Sequence, residues 1–181
     1  MKKILLLSLL LLGMGLQVSA QYKLDSNEAY AKSFQGKKLP AFSVQEWVTK
    51  KPNVKGKYQL IDFWGIFAYP CTSITVPQLN KLAKTFAKEM VVIGYSIDEP
   101  FYIRQMEDPV FEYPIASVDP EEIMKLFEFE GLPVTMLVNP DGKVIWQGAV
   151  LIPNVPLSQK EDIFFLTAAK LREMIDADKK K

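Results

Sequence analysis

The sequence predicts one α/β domain built on a central mixed sheet, with a parallel strand–helix–strand half, an antiparallel hairpin half and helices on both faces. Three observations carry this. A nearly unbroken apolar run, Tyr58–Trp64, is followed by an amphipathic stretch, Ser73–Lys88, and then by a second apolar run, Met90–Ser96. Two further apolar runs, Val134–Val138 and Val144–Gln147, flank the turn sequence Asn139-Pro140-Asp141-Gly142. Parallel strands need a long crossover, whereas a short polar turn joins antiparallel neighbours.

Taken in order, the chain opens with Met1-Lys2-Lys3, an apolar run from Ile4 to Leu16 and Val18-Ser19-Ala20 before Gln21. A positive end, a short apolar core and a small-residue cleavage signal describe a secretory signal peptide over residues 1–20. The apolar run falls short of the roughly 20 residues a membrane span needs, so no stable span is expected after cleavage. No cysteine follows at the cleavage point, which excludes lipid attachment there. Residues 21–38 read as a polar N-terminal segment, 39–177 as the domain and 178–181 as a basic tail.

Leu39-Pro40-Ala41-Phe42-Ser43-Val44 reads as a short extended edge, where proline is tolerated. Tyr58–Trp64 is apolar enough to be covered on both faces, and Asp62 is its one charge. In Ser73–Lys88 the residues Ile74, Val76, Leu79, Leu82, Ala83, Phe86 and Ala87 recur at helical spacing, with Pro77 expected to kink the helix. Glu99–Asp108 is read as a short helix. Asp119-Pro120-Glu121-Glu122 opens another through Phe129, with Asp119 as cap and Pro120 at the first position, and Gly131-Leu132-Pro133 as its stop. A last helix is expected from about Lys160 to Asp176, burying Ile163, Phe164, Leu166, Thr167, Leu171 and Ile175. The stretch Val150–Leu157 is an unusually apolar loop that could cover an edge or contact a partner.

Composition excludes several classes of function. The 22 basic and 21 acidic residues leave a net charge of +1 with no basic surface beyond Lys179-Lys180-Lys181, so nucleic acid is not an expected partner. The chain has no histidine and one cysteine, Cys71, which removes histidine-assisted catalysis and argues against a zinc site; neither a metal nor a cofactor is expected. A single thiol in an exported chain is a buried inert group, a reactive thiol or half of an intermolecular bond.

The stretch Leu60-Ile61-Asp62-Phe63-Trp64-Gly65-Ile66-Phe67-Ala68-Tyr69-Pro70-Cys71 resembles the active-site strand and loop of the thioredoxin-like superfamily, and in particular of exported TlpA/ResA-type thiol–disulfide oxidoreductases. Phe127–Ile145, containing Gly131-Leu132-Pro133-Val134-Thr135, resembles the family's Gly-x-Pro-x-Thr loop and hairpin. The resemblance runs roughly from Pro40 to Ile175 and implies the thioredoxin fold. It also implies a cis bond before Pro133, beside a groove for an extended substrate, with Leu132, Trp64, Phe67, Tyr69 and Pro70 around it. Aromatic residues in such a loop are more often core and rim packing.

Within that resemblance the Cys-x-x-Cys motif is degenerate, reading Ala68-Tyr69-Pro70-Cys71. Ala68 stands at the position of the attacking cysteine and cannot attack, while Cys71 matches the resolving cysteine. Disulfide cycling within one chain is therefore impossible, and whether the chain is an enzyme is open. Asp62 matches the acid that takes the second thiol's proton through water; the alternative is a carboxylate satisfied by backbone donors or by a lysine such as Lys57. The family's kink proline usually lies five residues after the second cysteine, but Pro77 lies six after Cys71. Anchoring from Pro77 would instead place Tyr69 and Thr72 at the two cysteine positions.

Three functions follow as expectations. Cys71 could form a mixed disulfide with a protein or small-molecule thiol, with Asp62 as proton acceptor. The chain could be a redox-silent module binding an extended peptide beside Pro133. It could be a single-cysteine peroxidase, although Ala68 and Pro133 stand where peroxiredoxins carry their threonine and arginine. Export to the periplasm of a Gram-negative bacterium is the expected location.

Overall fold

The computed structural model describes residues 31–69, 71–150 and 165–181. The signal peptide, Pro70, the apolar loop from Leu151 to Leu157 and the expected start of the last helix at Lys160 lie outside the described residues.

Seven strands form one mixed sheet in the order β1-β4-β3-β2-β5-β6-β7. They are β1 (Val44–Trp47), β2 (Tyr58–Trp64), β3 (Met90–Ser96), β4 (Ile115–Val118), β5 (Val134–Val138), β6 (Val144–Val150) and β7 (Phe165–Leu166). The helices are α1 (Val76–Thr85), α2 (Pro100–Arg104), α3 (Pro120–Phe127) and α4 (Ala168–Asp178). β2, β3 and β4 run parallel, and β5 and β6 are antiparallel to the strands that precede them in the sheet, so the expected parallel and hairpin halves are both present. The thioredoxin fold and its α/β class are upheld.

Alternation along β2 sorts its residues to opposite faces. Tyr58 and Leu60 join Leu79, Leu82, Leu171 and Ile175 of α1 and α4 on one face. Ile61 and Phe63 join Ile123 and Phe127 of α3 on the other. Asp62 belongs by parity to the α1 face, the face that bears the candidate site.

Several boundaries differ from the sequence reading, each for a local reason. The edge strand begins at Val44 rather than ending there, because Val44, Glu46 and Trp47 find register partners on β4. β4 itself was not expected; it is only four residues long and follows Pro114, so it offers too short a period to read. α3 ends at Phe127, two residues short of the expected Phe129, because Glu128 takes a left-handed backbone at φ 50°. The Asp119 cap is as expected, its Oδ1 accepting from Glu121 N at 2.9 Å. At the C-terminus Phe165–Leu166 is a strand and α4 starts only at Ala168, with Thr167 as its cap.

The segment 31–38 is not a polar appendage but part of the domain. Ala31 is buried, and Phe34 packs edge-on against Phe127 with ring centres 5.2 Å apart. Gln147 satisfies this segment's backbone, accepting from Phe34 N at 3.0 Å and donating to Lys32 O at 3.0 Å. The basic tail is likewise tied down: Asp178 closes α4 and accepts from Tyr58 OH at 3.0 Å, and Lys179 bonds Glu89 at 2.6 Å.

Candidate functional site

Three connections meet at the carboxyl end of β2. The loop after β2 leads into α1, the turn after β3 lies beside it because the strands are parallel, and Pro133 enters β5, whose Val134 pairs with Phe63. In α/β sheets this edge is where ligands bind.

The loop is pinned from β3. Ile66 N donates to Asp98 Oδ2 at 2.7 Å, Ser96 Oγ donates to the same oxygen at 2.8 Å, and Ile97 N donates to Trp64 O at 3.1 Å. Asp98 was missed in the sequence; a Ser-x-Asp sequence at the end of a buried strand was the available signal. Ala68 N donates to Gly65 O and Cys71 N to Ala68 O, so the chain turns tightly into the helix.

Cys71–Thr75 then forms a π turn that runs directly into α1. A π turn holds more residues per turn than an α turn, so it takes up the extra residue between Cys71 and Pro77. Pro77 sits in the first turn of α1, immediately after the π turn. The kink expected at Pro77 is realised as this change of helix type.

The predicted site residues separate sharply by exposure. Phe67 and Tyr69 are 74% and 70% exposed, whereas Cys71, Asp62 and Trp64 are all 0% exposed. Trp64 is thus not a groove residue; its ring packs against Phe111 at 4.7 Å. Pro133 is buried behind a cis peptide bond, and half-buried Leu132 and Ala68 pack with Trp64 and Cys71 in one cluster. Of the other residues expected around the groove, Phe67 and Tyr69 are exposed and Leu132 is half-buried.

Burial pushes the Cys71 thiol up to about 12, and the nearby Asp62 carboxylate raises it further, while the backbone N–H groups of Gly65 and of Cys71 itself act the other way. Asp62 is pushed up to about 7 by burial, opposed by the hydroxyl of Thr135, which donates to Asp62 Oδ1 at 2.6 Å. Thr135 is the register partner of Asp62 across β2 and β5. Lys57, the alternative partner, instead donates to Ala87 O at 3.3 Å. Among the described residues no group of acidic, cysteine or histidine side chains is placed to hold a metal ion, and no helix is long and apolar enough to cross a membrane.

A model of the AhpC/TSA family matches residues 31–147, which span the sheet from its N-terminal packing segment to β6. The chain belongs to the AhpC/TSA family. Within this thioredoxin-like family it is 30% identical over 119 residues to the thiol-disulfide oxidoreductase ResA of Bacillus thuringiensis subsp. konkukian, an overlap covering 61% of this chain and 66% of that protein, just under two thirds. Among solved structures it resembles a thiol:disulfide interchange protein from Bacteroides sp. (TM-score 0.52, 24% identity, 62% of this chain and 80% of that one). It also resembles the reduced 2-Cys peroxiredoxin of Plasmodium vivax (TM-score 0.59, 18% identity, 82% of this chain and 100% of that one). At these identities the structural likenesses establish the fold, in agreement with the resemblance carried by Leu60–Cys71 and Phe127–Ile145.

Proposed function

We propose that this family member is an exported, redox-silent binding module that holds extended peptide segments in the groove beside Pro133, with Phe67, Tyr69 and Leu132 as its rim. One observation carries the reading: the sole cysteine, Cys71, is fully buried, and Ala68 occupies the attacking position. Only a thiolate attacks a disulfide. With its pKa pushed up to about 12 by burial, Cys71 stays a protonated thiol at neutral pH.

Mixed-disulfide chemistry through Cys71 and Asp62 would require the π turn to open first. Peroxidase chemistry would need a thiolate at the same enclosed position. What the scaffold keeps is its exposed apolar rim, and exposed aromatic rings beside a rigid edge are characteristic of recognition surfaces. Export to a Gram-negative periplasm rests on residues 1–20.

The test is an NMR titration of the isotope-labelled protein with carboxymethylated insulin B chain, an extended peptide without free thiols. Shifts confined to Phe67, Tyr69, Leu132 and their neighbours, unchanged in Cys71→Ser, are expected. An absence of shifts, together with insulin reduction or peroxide consumption that vanishes in Cys71→Ser, would contradict the proposal.

A further inference from the structure

On the α1 face of the sheet three buried polar atoms have no protein partner among the described residues: Asp62 Oδ2, Trp64 Nε1 and Tyr113 OH. Their residues are enclosed, with Asp62 and Trp64 at 0% exposure and Tyr113 at 5%. They also converge. Gly94 is the register neighbour of Asp62 across the parallel pair β2 and β3. A Cβ at Gly94 would stand 3.0 Å from Trp64 Nε1 and 3.2 Å from Tyr113 Cε2, so the indole and the phenol both lean over the glycine, beside the carboxylate. Tyr113 senses the same surroundings: burial first, then the Asp62 charge and Cys71, hold its phenol well above the usual range.

Leaving a buried polar group unpaired costs roughly 1–3 kcal/mol, and native interiors avoid it. The three groups have complementary valences. An indole N–H only donates, a phenol O–H donates, and an ionised carboxylate only accepts. A water molecule can accept two bonds while donating to the third group, and buried waters typically make about three such bonds.

We propose that Asp62, Trp64 and Tyr113 form a binding site for one buried water above Gly94. Trp64 Nε1–H and Tyr113 O–H donate to the water oxygen, and the water donates to Asp62 Oδ2. Gly94, with no Cβ, lets the indole and the phenol close over this spot. Both carboxylate oxygens are then occupied, Oδ1 by Thr135 and Oδ2 by the water on the β3 side. Asp62 thereby becomes a polar anchor of the sheet rather than a base serving Cys71.

The site is tested on the full chain with its tryptophans labelled with nitrogen-15, by seeking a water cross-peak at the indole Nε1–H of Trp64, assigned through Trp64→Phe. A high-resolution crystal structure supplies the second measurement. A long-lived water cross-peak is expected, with one ordered water in hydrogen-bonding contact with all three atoms. Gly94→Ala, whose methyl group would crowd the indole and the phenol at this spot, should abolish the cross-peak. A wild-type protein without the cross-peak, or density showing the indole or the phenol bonded directly to Asp62 with no water between, overturns the proposal. If Gly94→Ala does not fold, the two wild-type measurements decide it alone.

Discussion

The two faces of the same sheet are built on opposite principles. On the α3 face Phe63, Tyr95, Phe127, Phe129, Phe42 and Phe34 interlock, with Phe63 and Phe127 at 4.9 Å and Phe42 and Tyr95 at 5.0 Å. Gln147, the buried polar side chain on that face, has its backbone partners. On the α1 face, one residue along the same strand, Asp62 is buried beside Cys71, and among the described residues every buried side-chain polar atom without a protein partner lies on this side. Strand alternation lets a chain keep an electrostatically costly cluster on one face while the other supplies apolar stabilisation.

The largest effect that would test this contrast is on the apolar face. Phe127→Ala should lower unfolding stability by about 3–5 kcal/mol in a denaturant melt, since it removes a fully enclosed ring from the lattice. A loss below about 1 kcal/mol would mean that this face is not the main support.

The polar face should respond in the opposite direction. Burial pushes the Asp62 carboxyl from its ordinary 3.8 up to about 7 in the folded protein. Between these values the folded protein holds a proton that the unfolded chain has released, so the stability contributed by Asp62 is complete below about pH 4 and is lost as pH rises to about 7. Asp62→Asn should flatten that dependence and raise stability at pH 8 by about 1–3 kcal/mol. Unfolding curves between pH 4 and 8 measure both.

Thr135→Val should move the Asp62 titration upward, because it removes the hydrogen bond that lowers it. Above pH 7 the variant should also lose about 1–3 kcal/mol, from the carboxylate oxygen left unpaired. Carbon-13 NMR of the Asp62 carboxyl follows the titration. Smallest is Asp98→Ala, expected to cost about 1 kcal/mol and to speed amide exchange at Ile66, with the α3 face unaffected.

How far these faces were legible follows from what each depends on. The apolar face was written in the nearly unbroken apolar run Tyr58–Trp64 and in the helix opened by Asp119-Pro120-Glu121-Glu122, whose cap at Asp119 was visible residue by residue. Asp62, Cys71 and Pro133 were visible as matches to the family pattern, and Ala68 and the extra residue before Pro77 as departures from it. What was illegible is set by register and topology. Gly94 and Tyr113 come beside Asp62 only because β2, β3 and β4 are neighbours, and no local pattern marks either residue. Trp64 was misplaced at the groove because a strand end gives no sign of which face its ring takes.

The central claim is that Cys71 is sealed behind the loop and does no redox chemistry. Its most direct test is the rate at which a disulfide-based thiol probe labels the full-length native protein, measured against denaturant concentration. No labelling in buffer is predicted, with reaction appearing only as the protein unfolds. Complete labelling of native protein within minutes, at a rate independent of unfolding, would contradict the account.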